Sequence, residues 1–207
     1  MTARVRKPRP RPEPETALRQ RMEVDVRRSQ LLGVAKRLFS ERAYDEVSVD
    51  DVAAAAGVSK GLFYHYFDGK RGLYVATLEV AAEELLARTE PPAELPPEER
   101  LRAGLDAFLD YVAEQGDAFV ALMRGGVGSD PEVAAIVSRT RERFVTRALE
   151  GLGAARPPAM LRIALAGWVG FAEAASIEWI AHKRVKREDV KELLASALLH
   201  ASSLVPR

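Results

Sequence analysis

One stretch, residues 47–70, constrains the fold more than any other part of the chain: VSVDDVAAAAGVSKGLFYHYFDGK. Ser48 precedes an aspartate by three residues, which is close to the capping box that begins many helices. Apolar residues then recur at helical spacing from Val49 to Ala56. Gly57 suits a left-handed helix end, because glycine adopts that conformation without steric cost. The pattern predicts a short helix followed by a sharp turn.

A second short helix is predicted directly after the turn, with Ser59 as its N-cap. At about 100° per residue, its side chains divide into two faces. One face carries Lys60, Gly61, Tyr64 and His65, and the other carries Leu62, Phe63, Tyr66 and Phe67. The first face is therefore predicted to be exposed to solvent and the second to pack against the protein.

Two short helices joined by a tight turn form a helix-turn-helix, which places its second helix in the major groove of DNA. Lys60 lies near the end of that helix where base contacts are made, and Gly61 permits close backbone approach. Tyr64 offers a hydroxyl to a phosphate, and Lys70 adds a cation at the start of the next helix. The candidate DNA-binding residues are Ser48, Ser59, Lys60, Gly61, Tyr64, His65 and Lys70. The alternatives are a generic helical hairpin and, for His65, an ordinary surface histidine.

These residues resemble the DNA-binding domain of the tetracycline-repressor (TetR) family of bacterial transcription regulators. The resemblance covers about residues 27–78. It rests on Ser48, Gly57-Val58-Ser59, Tyr64-His65-Tyr66-Phe67 and Lys70. Two positions depart from the family pattern: Ala43 stands where many relatives have glycine, and Leu62 where many have threonine. A left-handed Ala43 would cost about 1 kcal/mol, and Leu62 lacks the hydroxyl for a DNA contact.

The resemblance implies an all-α homodimer with an N-terminal helix-turn-helix three-helix domain and a C-terminal helical dimerisation and effector-binding domain, about nine helices in total. The predicted divisions are 1–26, a basic disordered arm; 27–72, the DNA-binding domain; 73–203, the second domain; and 204–207, which resemble a cleaved protease site. In relatives, the last two long helices form a four-helix bundle across a two-fold axis. These two segments here are apolar enough to do the same.

Helical spacing and turn residues predict the remaining elements. Helix 1 is expected from Arg19 or Arg27 to Arg42, with Tyr44 and Val47 completing its small core. Asp68 is a predicted cap, as are Ser129 and Glu132 together. The other helices are expected at about 70–88, 98–115, 117–124, 131–149, 159–182 and 187–202, with a proline-rich linker at 90–97.

Positive charge is concentrated at the N-terminus. Residues 1–28 hold nine Arg or Lys against four Asp or Glu, a net +5, which leaves −4 for the rest of a chain whose total is +1. Proline disfavours regular structure over residues 1–15. The basic residues there are Arg4, Arg6, Lys7, Arg9 and Arg11. They suit either a minor-groove contact or a solubilising tail.

The chain offers little of the chemistry that enzymes need. It has no cysteine and only three histidines, none of them in a His-x-x-x-His pair. No zinc site, thiol nucleophile or serine triad is predicted, and neither a cofactor nor an enzymatic activity is expected. Glu173 and Glu178 could form an acid–base pair, but carboxylates on a helix more often make salt bridges or hydrogen bonds at an interface. Without a signal peptide, and with its longest uncharged apolar run (163–172) too short to span a bilayer, the chain is expected in the bacterial cytoplasm, away from membranes.

The C-terminal half contains the aromatic residues for an effector pocket. The candidate lining residues are Phe108, Tyr111, Phe119, Met123, Phe144, Trp168 and Phe171. Each of them could equally fill a core. If they form a cavity, its apolar lining predicts an apolar or aromatic effector and argues against a strongly ionic one.

The predicted function is a DNA-binding transcriptional regulator: a repressor that binds a near-palindromic double-stranded DNA operator as a homodimer and is released by a small-molecule effector. Three alternatives remain. The chain could be an architectural protein that binds DNA without sequence preference, a regulator that activates or has no ligand, or a helical ligand-binding or enzymatic bundle without DNA binding.

Overall fold

The computed structural model describes residues 14–124, 130–154, 156–182 and 184–203, without the side chains of 14–23 and 121–124. Every regular element in these ranges is helical, so the all-α prediction is confirmed. The helices are α1 Pro14–Glu41, α2 Val49–Ala56, α3 Lys60–Tyr66, α4 Gly69–Arg88, α5 Pro97–Glu114, α6 Gly116–Arg124, α7 Pro131–Gly151, α8 Ala159–Ala181 and α9 Arg187–Ser203, with one 3-10 turn at Tyr44–Glu46.

α1 begins earlier than the sequence predicts. The helix starts at Pro14, whereas the disordered arm was predicted to reach residue 26. Proline fits a first helical turn, where its missing N–H needs no partner, and good helix formers follow it. The prediction of disorder is therefore wrong for 14–26. The five basic residues assigned to the arm lie within 1–13, outside the described residues.

A small aromatic core closes the N-terminal three-helix unit. The rings of Phe39 and Tyr44 each pack edge-on against Tyr74 of α4, with ring centroids 4.9 Å apart in both pairs. Val47 is buried in the same cluster. The prediction that Tyr44 and Val47 complete this core is confirmed. Ala43 has φ −59°, outside the left-handed region, so the strain considered for it does not arise.

α4 connects the two parts of the molecule, because it contacts α1 on one side and α5, α6 and α7 on the other. Its N-cap position is Asp68, as predicted, although the aspartate side chain makes no capping hydrogen bond. In its first turn, Arg71 donates two hydrogen bonds to Asp130, at 2.7 and 2.9 Å, and one to Glu132 at 2.9 Å. The start of α4 is thereby tied to the start of α7.

The N-cap of α7 is Asp130 rather than the predicted Ser129, which lies outside the described residues. The Asp130 carboxylate accepts hydrogen bonds from the backbone N–H groups of Glu132 and Val133. An aspartate directly before Pro131 can reach these donors, and its charge suits the positive end of the helix.

α5, α7, α8 and α9 pack together in the C-terminal part, with a second buried cluster between α7, α8 and α9. In the described part of the chain, α8 is the helix whose length and composition alone would allow it to cross a membrane. That is weak evidence, because helices of soluble proteins pass the same test. Only 28% of its apolar window is buried in the single chain, so much of α8 is left uncovered.

Candidate functional site

The α2 helix is held by its predicted capping box. The Ser48 hydroxyl accepts from the Asp51 N–H at 3.1 Å, and the Asp51 carboxylate accepts from the Ser48 N–H at 2.8 Å. The hydrogen bonds from Ser48 lower the pKa of Asp51. At the other end, Gly57 has φ 64°, the left-handed conformation predicted for it. These contacts fix the angle at which the chain enters α3.

α3 presents the predicted face to solvent. Ser59 caps the helix by accepting from the Leu62 N–H at 3.2 Å. On the inner face, Phe63 is 0% exposed and Phe67 is also buried. On the outer face, Tyr64 is 56% exposed. Lys60, Gly61 and His65 are exposed with it. The division of this helix into one packed and one open face is therefore confirmed.

Lys60 stands at the start of the exposed face and pairs with α2. Its ammonium lies 2.8 Å from the carboxylate of Asp50, and this hydrogen bond raises the pKa of Lys60. Both side chains are largely exposed, so the pair is easily exchanged for another anion. Lys60 is held at the surface and remains available to a phosphate.

Lys70 lies in a different environment from the one the sequence suggests. Its ammonium donates to the Tyr44 carbonyl at 3.1 Å and sits 4.2 Å from the centre of the Tyr44 ring. The side chain is half-buried and joins the first turn of α4 to the 3-10 turn. Its contacts within the chain are therefore structural.

A cavity of about 300 Å³ lies between α4, α5, α6, α7, α8 and α9. Its wall is mostly apolar and includes Phe108, Phe119, Phe144, Trp168 and Leu198. The Trp168 indole donates to the Leu194 carbonyl at 2.9 Å, which fixes the ring against α9. The volume of the cavity is at the lower end of the range for small-molecule pockets.

Comparison with protein families matches residues 31–77 to "Bacterial regulatory proteins, tetR family" and residues 97–200 to "Tetracyclin repressor-like, C-terminal domain". A crystal structure of a TetR-family transcriptional regulator from Streptomyces coelicolor is 35% identical and superposes with a TM-score of 0.78. The match covers 87% of this chain and 84% of that one. The chain belongs to the TetR family.

Named relatives of this TetR-family chain are matched over shorter regions. The HTH-type transcriptional activator FasR of Mycolicibacterium smegmatis is 32% identical over 124 residues, 59% of this chain and 57% of FasR. The HTH-type transcriptional regulator EthR of Mycobacterium tuberculosis is 31% identical over 90 residues, 42% of each chain. The chain therefore spans about half the length of these relatives.

The cavity of this TetR-family chain contains some, and not all, of the predicted pocket residues. Those that line it are Phe108, Phe119, Phe144 and Trp168. Tyr111 lies outside the lining: it is fully buried, donates to the Ala81 carbonyl at 3.4 Å, and burial raises its pKa to about 12. Phe171 points away from the cavity wall and is 40% exposed on α8. The side chain of Met123 lies outside the described residues.

The two arginines in the wall, Arg100 and Arg147, were missed because helical spacing marks apolar faces and gives no sign of a cation in a cavity wall. The expected salt bridge is confirmed for Glu173, which pairs with Arg141 at 2.8 Å. The Glu178 carboxylate lies 3.2 Å from the Nδ1 of His182, a contact that is an ion pair only when the imidazole is protonated. Among the described side chains, no group of three or more potential ligands is arranged to hold a metal.

Proposed function

We propose that this TetR-family chain is a DNA-binding transcriptional repressor that binds a near-palindromic operator as a homodimer and is released by a small-molecule effector. The observation that carries the proposal is the outer face of α3. That face presents a cation, a glycine, a phenol and an imidazole on a helix whose two ends are fixed by Ser59 and buried Phe67. A rigid exposed helix of this kind is what major-groove recognition needs.

Each candidate residue has a proposed part in the complex. Lys60 exchanges Asp50 for a phosphate or a base edge, and Gly61 lets the backbone come close. Tyr64 and His65 hydrogen-bond to phosphate or bases. Ser48 and Ser59 hold the ends of α2 and α3, where helix N-termini attract phosphates. Lys70 contributes positive potential beside them.

Uncovered apolar surface on α8 and α9 supports the homodimer. The exposed apolar side chains there are Met160, Ile163, Phe171, Leu193 and Leu199. Nothing lies within 4 Å of a Cβ built at Gly167 or Gly170, so a partner helix has space to approach α8 closely. A two-fold pair of this kind would set two α3 helices about 34 Å apart, or a small multiple of that distance, along DNA.

The cavity supports control by an effector. It lies beside α4, the helix that also carries Lys70 and packs on α1. A ligand that binds more tightly to the conformation that cannot bind DNA would weaken operator binding; a difference of about 3 kcal/mol corresponds to roughly 150-fold. The effector-bound and effector-free forms of the dimer would then differ in the separation of the two α3 helices.

The test begins with fragments of genomic DNA selected by the purified protein. The selected site should bind with roughly 10³-fold or greater preference over random DNA at fixed salt. Lys60→Ala and Tyr64→Phe should each weaken specific binding by about 1–3 kcal/mol. Glu83→Ala, an exposed change on α4 away from this face, is the matched control. Equal binding to random DNA would instead support an architectural protein, and unaffected variants would remove the helix-turn-helix from the function.

Activation is a second candidate function, because FasR is named a transcriptional activator. In vitro transcription from the selected promoter separates the two. Repression predicts that added protein lowers transcript yield, and activation predicts that it raises the yield from the same template.

A further inference from the structure

The cavity wall contains four charged residues. Three of them have an ion-pair or hydrogen-bond partner within the chain. Glu173 pairs with Arg141 at 2.8 Å, and Glu98 lies 3.6 Å from Arg102. Arg147 pairs with Glu90, and donates to the Thr89 hydroxyl at 3.1 Å and to the Leu86 carbonyl at 2.7 Å.

Arg100, the fourth, has no such partner. It lies in the first turn of α5, lines the cavity and is only partly exposed. Its Nε is buried without a hydrogen-bond acceptor, and no described carboxylate pairs with its guanidinium. The Nε of Arg147 is likewise buried without an acceptor in the same cavity. Because the guanidinium of Arg100 is not paired with a described carboxylate of the chain, an anion that enters the cavity can form a charge-assisted hydrogen bond with it.

We propose that the effector is an amphipathic anion, with an apolar chain and one terminal anionic oxygen group that Arg100 binds. The apolar chain lies along Phe108, Phe144 and Trp168, and Arg147 adds a second positive charge to the cavity wall. The chemistry of the wall favours a carboxylate or a phosphate monoester, since both match a guanidinium. This inference rests on the proposed effector control and names the chemical class of the effector.

The proposed anionic head group differs from the sequence-based expectation, in which a lining with few charges argues against a strongly ionic effector. Most of the wall is apolar, so the body of the ligand is apolar. An unpaired arginine in this wall contributes more to the binding of an anion than a paired one, because no described carboxylate of the chain competes with the ligand for its guanidinium.

The test uses three probes with the same ten-carbon chain: decanoate, decyl phosphate and decanol. Their binding to the full-length protein without DNA is measured by calorimetry. Wild-type protein should bind at least one of the two anions tenfold or more tightly than decanol, the equivalent of one charge-assisted hydrogen bond. Arg100→Gln should reduce the affinity for that anion by roughly 10- to 100-fold and leave decanol almost unchanged.

Two further variants keep the test clear. Arg100→Lys keeps the charge and should retain a preference for the anion over decanol. Arg143→Gln removes an exposed positive charge from α7 outside the cavity wall and should leave binding of all three probes unchanged. In a Trp179→Phe background, quenching of the remaining Trp168 fluorescence places the probe in the cavity.

Equal affinity of the wild-type protein for decanol and both anions would overturn the inference, as would unchanged anion binding in Arg100→Gln or no binding of any probe. The preferred anion distinguishes a carboxylate head from a phosphate head. Because these measurements contain no DNA, their failure leaves the proposed operator binding intact. If the protein fails to bind an operator, in turn, the measured affinities for the three probes still test the inference about the effector.

Discussion

At the scale of single residues, neighbours in α3 have opposite roles. Phe63 is 0% exposed and touches the rings of Tyr64 and Phe67, whereas Tyr64 points to solvent. Helical geometry separates adjacent side chains by about 100°, so one residue holds the helix in place and the next is free to contact DNA. Stability and recognition can therefore be tested separately.

We expect Phe63→Ala to lower the free energy of unfolding by about 3–5 kcal/mol, because it leaves a cavity in the buried core. Tyr64→Ala, one position later, should cost about 1 kcal/mol or less, since the ring is largely solvated. Urea unfolding followed by circular dichroism measures both. Similar losses in the two variants would contradict the assignment of opposite faces.

At the scale of elements, the joint between α4 and α7 links the helix-turn-helix to the cavity region. Arg71 of α4 binds both carboxylates at the start of α7, and Asp130 is also the N-cap of that helix. The hydrogen bond from Arg71 lowers the pKa of Asp130. A second pair, Arg139 with Glu79 at 3.5 Å, joins the same two helices in a more exposed position.

We expect Arg71→Ala to lower the thermal midpoint at neutral pH more than Arg139→Ala does, because only Arg71 makes a bidentate contact. The Asp130 pKa is lowered by folding, so its contribution is complete above the ordinary value of 3.8. The contribution is lost as the pH falls below that value. Scanning calorimetry from pH 7 to acid should therefore show the difference between Arg71→Ala and wild type shrinking only at acid pH. A constant difference across this range would show that the carboxylate is not involved.

At the scale of the whole molecule, the apolar surface of α8 indicates that a single chain is incomplete. Ile163 is 65% exposed on the same helix as Phe171, and much of this helix lies outside the core of its own chain. Water contact with so much apolar surface is unfavourable, and a second copy would remove it.

We expect Ile163→Glu to shift the protein to monomers, because it places a charge at the centre of the proposed interface. Analytical ultracentrifugation over a concentration series measures the change. Val26→Glu, at an exposed apolar residue on α1, is the control and should leave the oligomeric state as in wild type. A dimer of undiminished affinity in Ile163→Glu would move the interface away from α8.

Apart from the start of α1 and the cap of α7, the sequence by itself determined the helices, the turn at Gly57 and the two faces of α3, because caps and helical spacing are local properties. Only the tertiary structure decided that Lys70 holds the Tyr44 turn, that Tyr111 and Phe171 lie outside the cavity, and that Arg100 lines it without a partner. Those results depend on which distant helices meet. Residues far apart in the chain, such as Thr89 and Arg147, show no shared pattern until folding brings them into contact.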